Sequence, residues 1–258
     1  PGWYTLGNSA HRFRCWQRHG HGRVDMRRAI SQSCDVYFYD LALKLGIDRM
    51  HVQLGRFGLG ARTGIDLPGE QAGLLPSQAW KRSARKAPWY PGETLIAGIG
   101  QGYNTATPLQ LAYATALIAS RGRTPPPRLV PAPLGEPAAV PDRLSQVSAE
   151  QWQIIADAMH AVVAPGGTAF RALADAPYSA AGKTGTAQVF AMSQRADDRG
   201  RNVARHLLDH ALFIAYAPLE APRIALSVIV EHGGSGSGTA APVARQVLDA
   251  WLARTGGS

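Results

Sequence analysis

Two apolar runs near the C-terminal end, "ALFIAYA" (211–217) and "IALSVIV" (224–230), are separated by only six residues, "PLEAPR". Both are rich in β-branched, aromatic and aliphatic side chains, the pattern of buried strands. A parallel crossover needs roughly a dozen residues or more, so a link this short makes the pair an antiparallel hairpin. A third strand-type run, Lys183 to Phe190 ("KTGTAQVF"), stands ahead of them across a longer polar link, Ser193 to Asp209. Any fold for this chain must therefore place an antiparallel sheet in its last third.

Helical signals fill the preceding residues. "DVYFYDLALKLG", from Asp35, is a buried helix stopped by Gly46. "TPLQ" opens another: Thr107 caps it, Pro108 takes the first helical position and Gln110 completes a capping box. Leu109, Ala112, Tyr113, Ala116 and Leu117 form its expected buried side. A third begins at Ser148 with Gln151 as partner, and Trp152, Ile155, Ala156, Met159, Val162 and Val163 recur at helical spacing until "PGGTAF". A last helix, from about Pro242, carries Val243, Val247, Leu248 and Trp251. Residues 55–70 are a Gly-rich turn, the Trp-containing stretch to about Gly92 is a polar loop, and Arg121 to Arg143, with seven prolines, is an irregular surface connection. Helices, then an antiparallel run, then a closing helix imply an α+β class, helical over about 1–170 and strands with the final helix over about 171–258.

The 258 residues, 45% hydrophobic and 17% charged, are enough for one large domain with a sizeable core. The longest uncharged stretch, Thr94 to Ser120, contains Gly98, Gly100, Gly102, Asn104 and Pro108 and is no membrane span. The chain opens "PGWYTL" without an initiator methionine, so the expectation is a fragment whose N-terminus, with any anchor, lies upstream. The net charge is +9 with a pI near 10.0. The arginines are scattered rather than gathered on one face, which argues against nucleic acid and suits an anionic polymer or membrane surface.

Within "AGKTGTAQVF" the letters "GKT" also end a phosphate-binding loop. Such a loop needs a glycine five positions before Gly182, and that position is Pro177, which has no N–H to wrap a phosphate. "TAQVF" also suits a strand rather than the helix such a loop opens. The alternative parsing is "KTGT" opening a strand, paired with "SCD" (Ser33, Cys34, Asp35) at a helix start. S-x-x-K, S-D-N and K-T-G are the motif set of serine β-lactamases and penicillin-binding proteins. Each word alone is weak, and a serine at a helix start is usually only a cap. Lys183 has a case of its own: it is one of four lysines, flanked by small residues that hide a long cation poorly.

Longer words strengthen the pairing. "SCDVYFYDLALKLGIDRM", "GARTGIDLPGE", "PWYPGETLIAGIGQGYNTATPLQLA" and "AGKTGTAQVF", with "HGR" at Gly22 and "GGTA" at Gly167, occur in one order along nearly the whole chain. Together they resemble the transpeptidase domain of class B penicillin-binding proteins, most of all the elongation-specific type, penicillin-binding protein 2. The resemblance implies a β-lactamase-like α+β fold, an antiparallel sheet flanked by helices, with the chain as the C-terminal part of one domain. It implies a D,D-transpeptidase that cross-links D-Ala-D-Ala stem peptides through a serine acyl-enzyme and is trapped by β-lactams. It implies a periplasm-facing enzyme anchored in the bacterial inner membrane, working with a SEDS-family glycosyltransferase of the elongation complex. No organic cofactor is implied. Alternatives are a non-catalytic penicillin-recognising sensor and, less suited because no E-x-x-x-N pattern stands in the expected interval, a hydrolytic β-lactamase.

Carried onto this sequence, the resemblance implies that Lys183 and the hydroxyls of Thr184 and Thr186 grip the substrate carboxylate. Gly185 lets substrate backbone approach the strand, the Thr186 N–H is one arm of an oxyanion hole, and Ser33 relays protons to the leaving amine. Asp35 stands where the family's second motif usually has Asn; a carboxylate accepts but does not donate, and elongation-type relatives use Asp here. No S-x-x-K precedes Ser33. "SARK" (Ser83 to Lys86) follows the second motif inside the basic run "WKRSARKAPWY" and is a decoy. A nucleophile's lysine must be kept unprotonated by burial, which a solvated basic run does not do. The expectation is that the chain as given cannot be acylated.

Both cysteines flank a histidine in the pattern C-x5-H-x12-C: Cys15, His21, Cys34. A disulfide, inert thiols and a metal site all fit the spacing, with His19 as a competing histidine. Elongation-type relatives carry a zinc site of this layout with Asp at the place of Cys15 and a further Asp just before "PG". The resemblance therefore implies Zn²⁺ on Cys15, His21, Cys34 and a residue upstream of Pro1, a soft donor set suited to that ion.

Overall fold

The computed structural model describes residues 1–131, 140, 143–188, 208–254 and 256. The C-terminal sheet is antiparallel throughout, in the order β3 (Ala181–Ala187), β4 (His210–Ala217), β5 (Ile224–Val230). The β4–β5 register pairs Ala217 with Ile224 across the six-residue link, and β3 pairs Lys183 with Ile214. Phe190 and most of the link between β3 and β4 lie outside the described residues, as do 132–139 and 141–142 of the proline-rich connection.

Alternation along β4 splits the core into two layers. Ala211, Phe213, Ala215 and Ala217 face the final helix α9 (Ala241–Arg254) and meet Ala241, Ala244, Leu248 and Leu252. Small residues on both sides let helix and sheet approach closely. On the opposite face, Ile214 and Tyr216 pack with Ile155 and Met159 of α7 (Ala149–Val163) and Ile118 of α6 (Pro108–Ala119). The expected apolar side of α9 is displaced by one position: Val243, Val247 and Trp251 are 41–47% exposed, while Leu248 is fully buried.

The capping boxes at Thr107/Gln110 and Ser148/Gln151 are both present. Gln110 does more than cap: fully buried, it accepts from the Thr107 N–H and donates Nε2 to Ala61 O and Ala72 O, both at 2.7 Å. It thereby ties the Gly-rich turn to α6. Helix α2 (Asp35–Leu45) ends at Gly46 as its pattern predicts. Two short strands, β1 (Trp3–Tyr4) and β2 (Phe13–Arg14), and the helices α1 (Met26–Ser31), α3 (Ile47–Arg56) and α8 (Phe170–Leu173) lie outside the elements read from the sequence.

The stretch expected to be a polar loop before Gly92 instead contains α4 (Gln78–Arg85), capped by Ser77, and leads into α5 (Pro91–Gly98). Its physical reason is Lys81, only 4% exposed, which pairs with Glu93 and lies over the Trp89, Tyr90 and Tyr103 rings. A buried, neutralised cation inverts the polarity by which a loop is recognised. Helix α5 seats on α2 at Gly98, where a Cβ would come within 2.4 Å of the Ala42 Cβ. Among the described residues no helix is long and apolar enough to cross a membrane.

Candidate active site

Ser33 sits in the turn between α1 and α2 with φ of +53°, a left-handed conformation that a non-glycine residue adopts only under constraint. The constraint comes from both sides. Its own N–H reaches Ile30 O at 3.2 Å, and the Cys34 N–H reaches Ala29 O at 2.9 Å. Opposite, the Trp16 indole N–H is shared between Gln32 O at 3.0 Å and Ser33 O at 2.9 Å, while the Trp16 backbone N–H donates to Asp35 Oδ2 at 3.1 Å. Trp16 therefore clamps the whole Ser33–Asp35 turn.

Across from this turn runs β3, an edge strand of the sheet among the described residues. Lys183 Nζ donates to Ser33 Oγ at 2.9 Å and to Thr184 O at 2.8 Å, joining groups 150 positions apart. Burial pushes the Lys183 ammonium down to about 8, and the Asp35 carboxylate pulls it partway back. Burial raises the Asp35 carboxyl in turn, while the Trp16 N–H, the Cys15 thiol and the Lys183 charge act against the rise. Because Ser33 Oγ accepts from a cation, its own O–H is left to donate, the arrangement a proton relay requires.

Thr184 and Thr186 alternate with Gly185 along the strand, and Thr186 is exposed. The Thr184 hydroxyl meets that of Thr168 at 3.0 Å, and the Thr168 N–H donates to Ser31 O at 3.2 Å. Thr168 thus couples β3 to α1. At Gly185 a Cβ would stand 3.2 Å from Leu212 Cβ, and a Cβ on Gly236, in the turn leading to α9, would stand 2.5 Å from Gly185 O. One face of β3 is consequently packed at Gly185. Trp16, Thr168 and Gln101, whose Nε2 reaches Thr186 O at 2.5 Å, had no assigned role in the sequence. The only signals were adjacency to Cys15 and membership in "GGTA" and "GIGQGYN".

Ser83 and Lys86 fall on the far end of α4, both exposed; Ser83 Oγ donates to Trp80 O at 3.0 Å and Lys86 is the left-handed cap. Neither residue is buried, so "SARK" has no nucleophile's surroundings.

Cys15, His21 and Cys34 converge: their donor atoms all lie within 4.8 Å of one another, Cys15 Sγ is 3.7 Å from His21 Nδ1, and both cysteines are free and nearly fully buried. His21 Nε2 is buried with no partner in good hydrogen-bond geometry among the described residues, although the Gln32 backbone acts on the ring. Burial lowers the His21 ring and pushes the Cys15 thiol up to about 11, with Asp35 opposing its ionisation. A thiolate at Cys15 therefore needs a cation beside it. The donor chemistry fits a soft divalent ion with three ligands in place.

A lysine on an edge strand, facing a left-handed serine at a helix start, brings together the two motif words that penicillin-recognising folds share. Residues 2–249 match the penicillin binding protein transpeptidase domain, and the chain belongs to that family. It is 42% identical to the peptidoglycan D,D-transpeptidase MrdA of Haemophilus influenzae over 98% of this chain and 40% of that protein. It is 43% identical to the MrdA of Acinetobacter baumannii, covering 98% and 38%. Among solved structures, Pseudomonas aeruginosa PBP2 in complex with WCK 5153 superposes with a TM-score of 0.85 at 47% identity, covering 98% of this chain and 52% of that one. PBP2 of Helicobacter pylori, solved with MreC, gives 0.86 at 33% identity, covering 99% and 44%. The chain spans about 40% of the length of the curated relatives it matches.

Proposed function

We propose that this chain carries the donor-peptide cleft of a peptidoglycan D,D-transpeptidase of the elongation-specific type. The observation that carries the reading is the 2.9 Å contact between Lys183 Nζ and Ser33 Oγ. In this reading Lys183 and the hydroxyls of Thr184 and Thr186 hold the terminal carboxylate of a D-Ala-D-Ala peptide, or that of a β-lactam. A serine from an S-x-x-K segment outside these residues adds its oxygen to the penultimate D-Ala carbonyl. The Thr186 N–H stabilises the oxygen that becomes negative. When the C–N bond breaks, the proton taken from that serine reaches the departing D-Ala amine through Ser33. An acceptor amine then attacks the ester and frees the serine; water in its place would give carboxypeptidase activity.

Cys15, His21 and Cys34 would hold a zinc ion that pins the start of α2, where Ser33 is strained. Asp35 would keep Lys183 charged. The elongation complex and its SEDS-family glycosyltransferase are the proposed partners, at the periplasmic face of the inner membrane. A fluorescent penicillin and the full-length gene product test the reading. The expected label lies upstream of Pro1, and Lys183→Ala lowers the acylation rate constant over its binding constant by about a hundredfold or more. A covalent label on any serine within residues 1–258, or undiminished labelling in Lys183→Ala, would defeat it.

A further inference from the structure

β3 is the outer strand of its sheet, so one row of its main-chain groups faces away from β4. In an antiparallel ladder the N–H and C=O of one residue point the same way, and alternate residues point oppositely. Lys183 Nζ takes Thr184 O, and Gln101 Nε2 takes Thr186 O at 2.5 Å, which identifies Thr184 and Thr186 as the outward pair. The Gln188 N–H continues the row and donates to Gln101 Oε1 at 3.3 Å. The amide of Gln101 therefore occupies one acceptor and one donor of the free edge, as the main chain of an added strand would.

That amide hangs from a fixed base. The Gln101 N–H donates to Ile96 O at 3.1 Å, and Gln101 O accepts from Asn104 Nδ2 at 3.0 Å, locking the residue onto the C-terminal end of α5. Helix α5 is seated on α2, the helix that begins just after Ser33. The cleft between α2 and β3 is thus bridged twice, by Lys183 at its centre and by Gln101 at the Thr186 end.

We propose that Gln101 is a displaceable cap on the substrate edge of β3, and so a specificity-determining residue. This rests on the donor-peptide reading above. A peptide laid along β3 offers an N–H to Thr186 O from the place where the Gln101 amide now bridges Thr186 O and the Gln188 N–H, so the strand docks by displacing that amide. Ligands that present a main-chain N–H there are compensated for the eviction; ligands without one are not. Gln101 acts as a filter for extended peptides and satisfies an otherwise bare edge when no peptide is bound.

The test is equilibrium binding, by NMR, of a pentapeptide ending in D-Ala-D-Ala to the full-length gene product. A second probe is the same peptide with an ester oxygen replacing the N–H of the penultimate D-Ala. Gln101→Ala is expected to bind the amide peptide about three- to tenfold more tightly, the value of one exchanged hydrogen bond, with no such gain for the ester. Gln101→Glu, which still accepts from the Gln188 N–H but donates nothing to Thr186 O, is expected to behave likewise and serves if the alanine variant fails to fold. A loss of structure does not tighten binding, so the sign of the change separates a filter from a mere tether. If the parent protein binds and Lys183→Ala abolishes binding, while both Gln101 variants bind the amide peptide equally or more weakly, the cap is refuted and the cleft assignment survives. If the parent binds neither probe, both fall.

Discussion

Asp35 in place of an amide has a consequence for Lys183. The lysine's folded pKa, near 8, lies below its ordinary 10.5, with burial as the leading cause and Asp35 as the opposing one. The depressed value means a folding penalty fully present below about pH 8 and relieved as pH rises toward 10.5. On the proposed donor-peptide reading, carboxylate binding runs the other way: the cation is lost as pH rises through about 8, so the affinity for carboxylate-ended peptides should fall there. Asp35→Asn removes the supporting charge and should move that fall to lower pH, measured as the pH profile of the binding constant for a D-Ala-D-Ala peptide. An unmoved profile would mean that Asp35 does not sustain the ammonium. Trp16 makes a second residue-scale prediction. Trp16→Phe keeps a ring but deletes the N–H shared by Gln32 O and Ser33 O. With Ser33 released from its left-handed turn, the rate constant of β-lactam acylation should fall about tenfold at nearly constant melting temperature and binding constant. An equal loss in binding and rate would instead mark Trp16 as packing alone.

Gln110 shows how one side chain can fasten two elements. Gln110→Leu deprives the carbonyls of Ala61 and Ala72 of their donor and removes the α6 cap partner. The expected cost is about 2 kcal/mol in denaturant unfolding, a value that falls under about 1 kcal/mol if water replaces the amide at both carbonyls. The cap itself was legible, because a capping box is local and leaves a four-letter signature; the two long bonds were not, because nothing in sequence relates position 110 to 61 or 72. The same division runs through the molecule. The hairpin β4–β5, α2, α6, α7 and α9 follow from periodicity, caps and one short link. Helix α4 escaped because its polarity is that of a loop until Glu93 and three rings enclose Lys81. On α9 the large residues suggested the buried side, whereas Ala241 and Ala244 lie against the alanines of β4 and turn Val243, Val247 and Trp251 outward. In the site, "SCD" and "KTGT" were readable as words, yet Trp16, Thr168 and Gln101 act through long-range contacts that no spacing encodes.

At the scale of the whole molecule, the N-terminal strands and the cleft meet at one cluster. Cys15 follows β2, Cys34 precedes α2, and His21 lies between them, so whatever joins these three also fixes the segment bearing Trp16 to the turn bearing Ser33. Zinc and a disulfide would both make that junction, but they leave different marks. With zinc, the purified full-length protein contains about one equivalent of metal, and its mass is that of two free thiols. Stripping with a strong chelator under reducing conditions should then lower the melting temperature by several degrees, as expected when a ligand that binds only the folded state is removed. Acylation by a β-lactam should slow in the stripped protein, because the segment bearing Trp16 is then no longer tied to the turn at Ser33. Re-addition of zinc should restore both. Cys15→Asp, which keeps an anionic ligand but abolishes any bond to Cys34, should retain the metal and the melting temperature. A mass lower by two hydrogen atoms with no metal present, and collapse of stability in Cys15→Asp, would transfer the junction to a Cys15–Cys34 bond and remove the ion from the site.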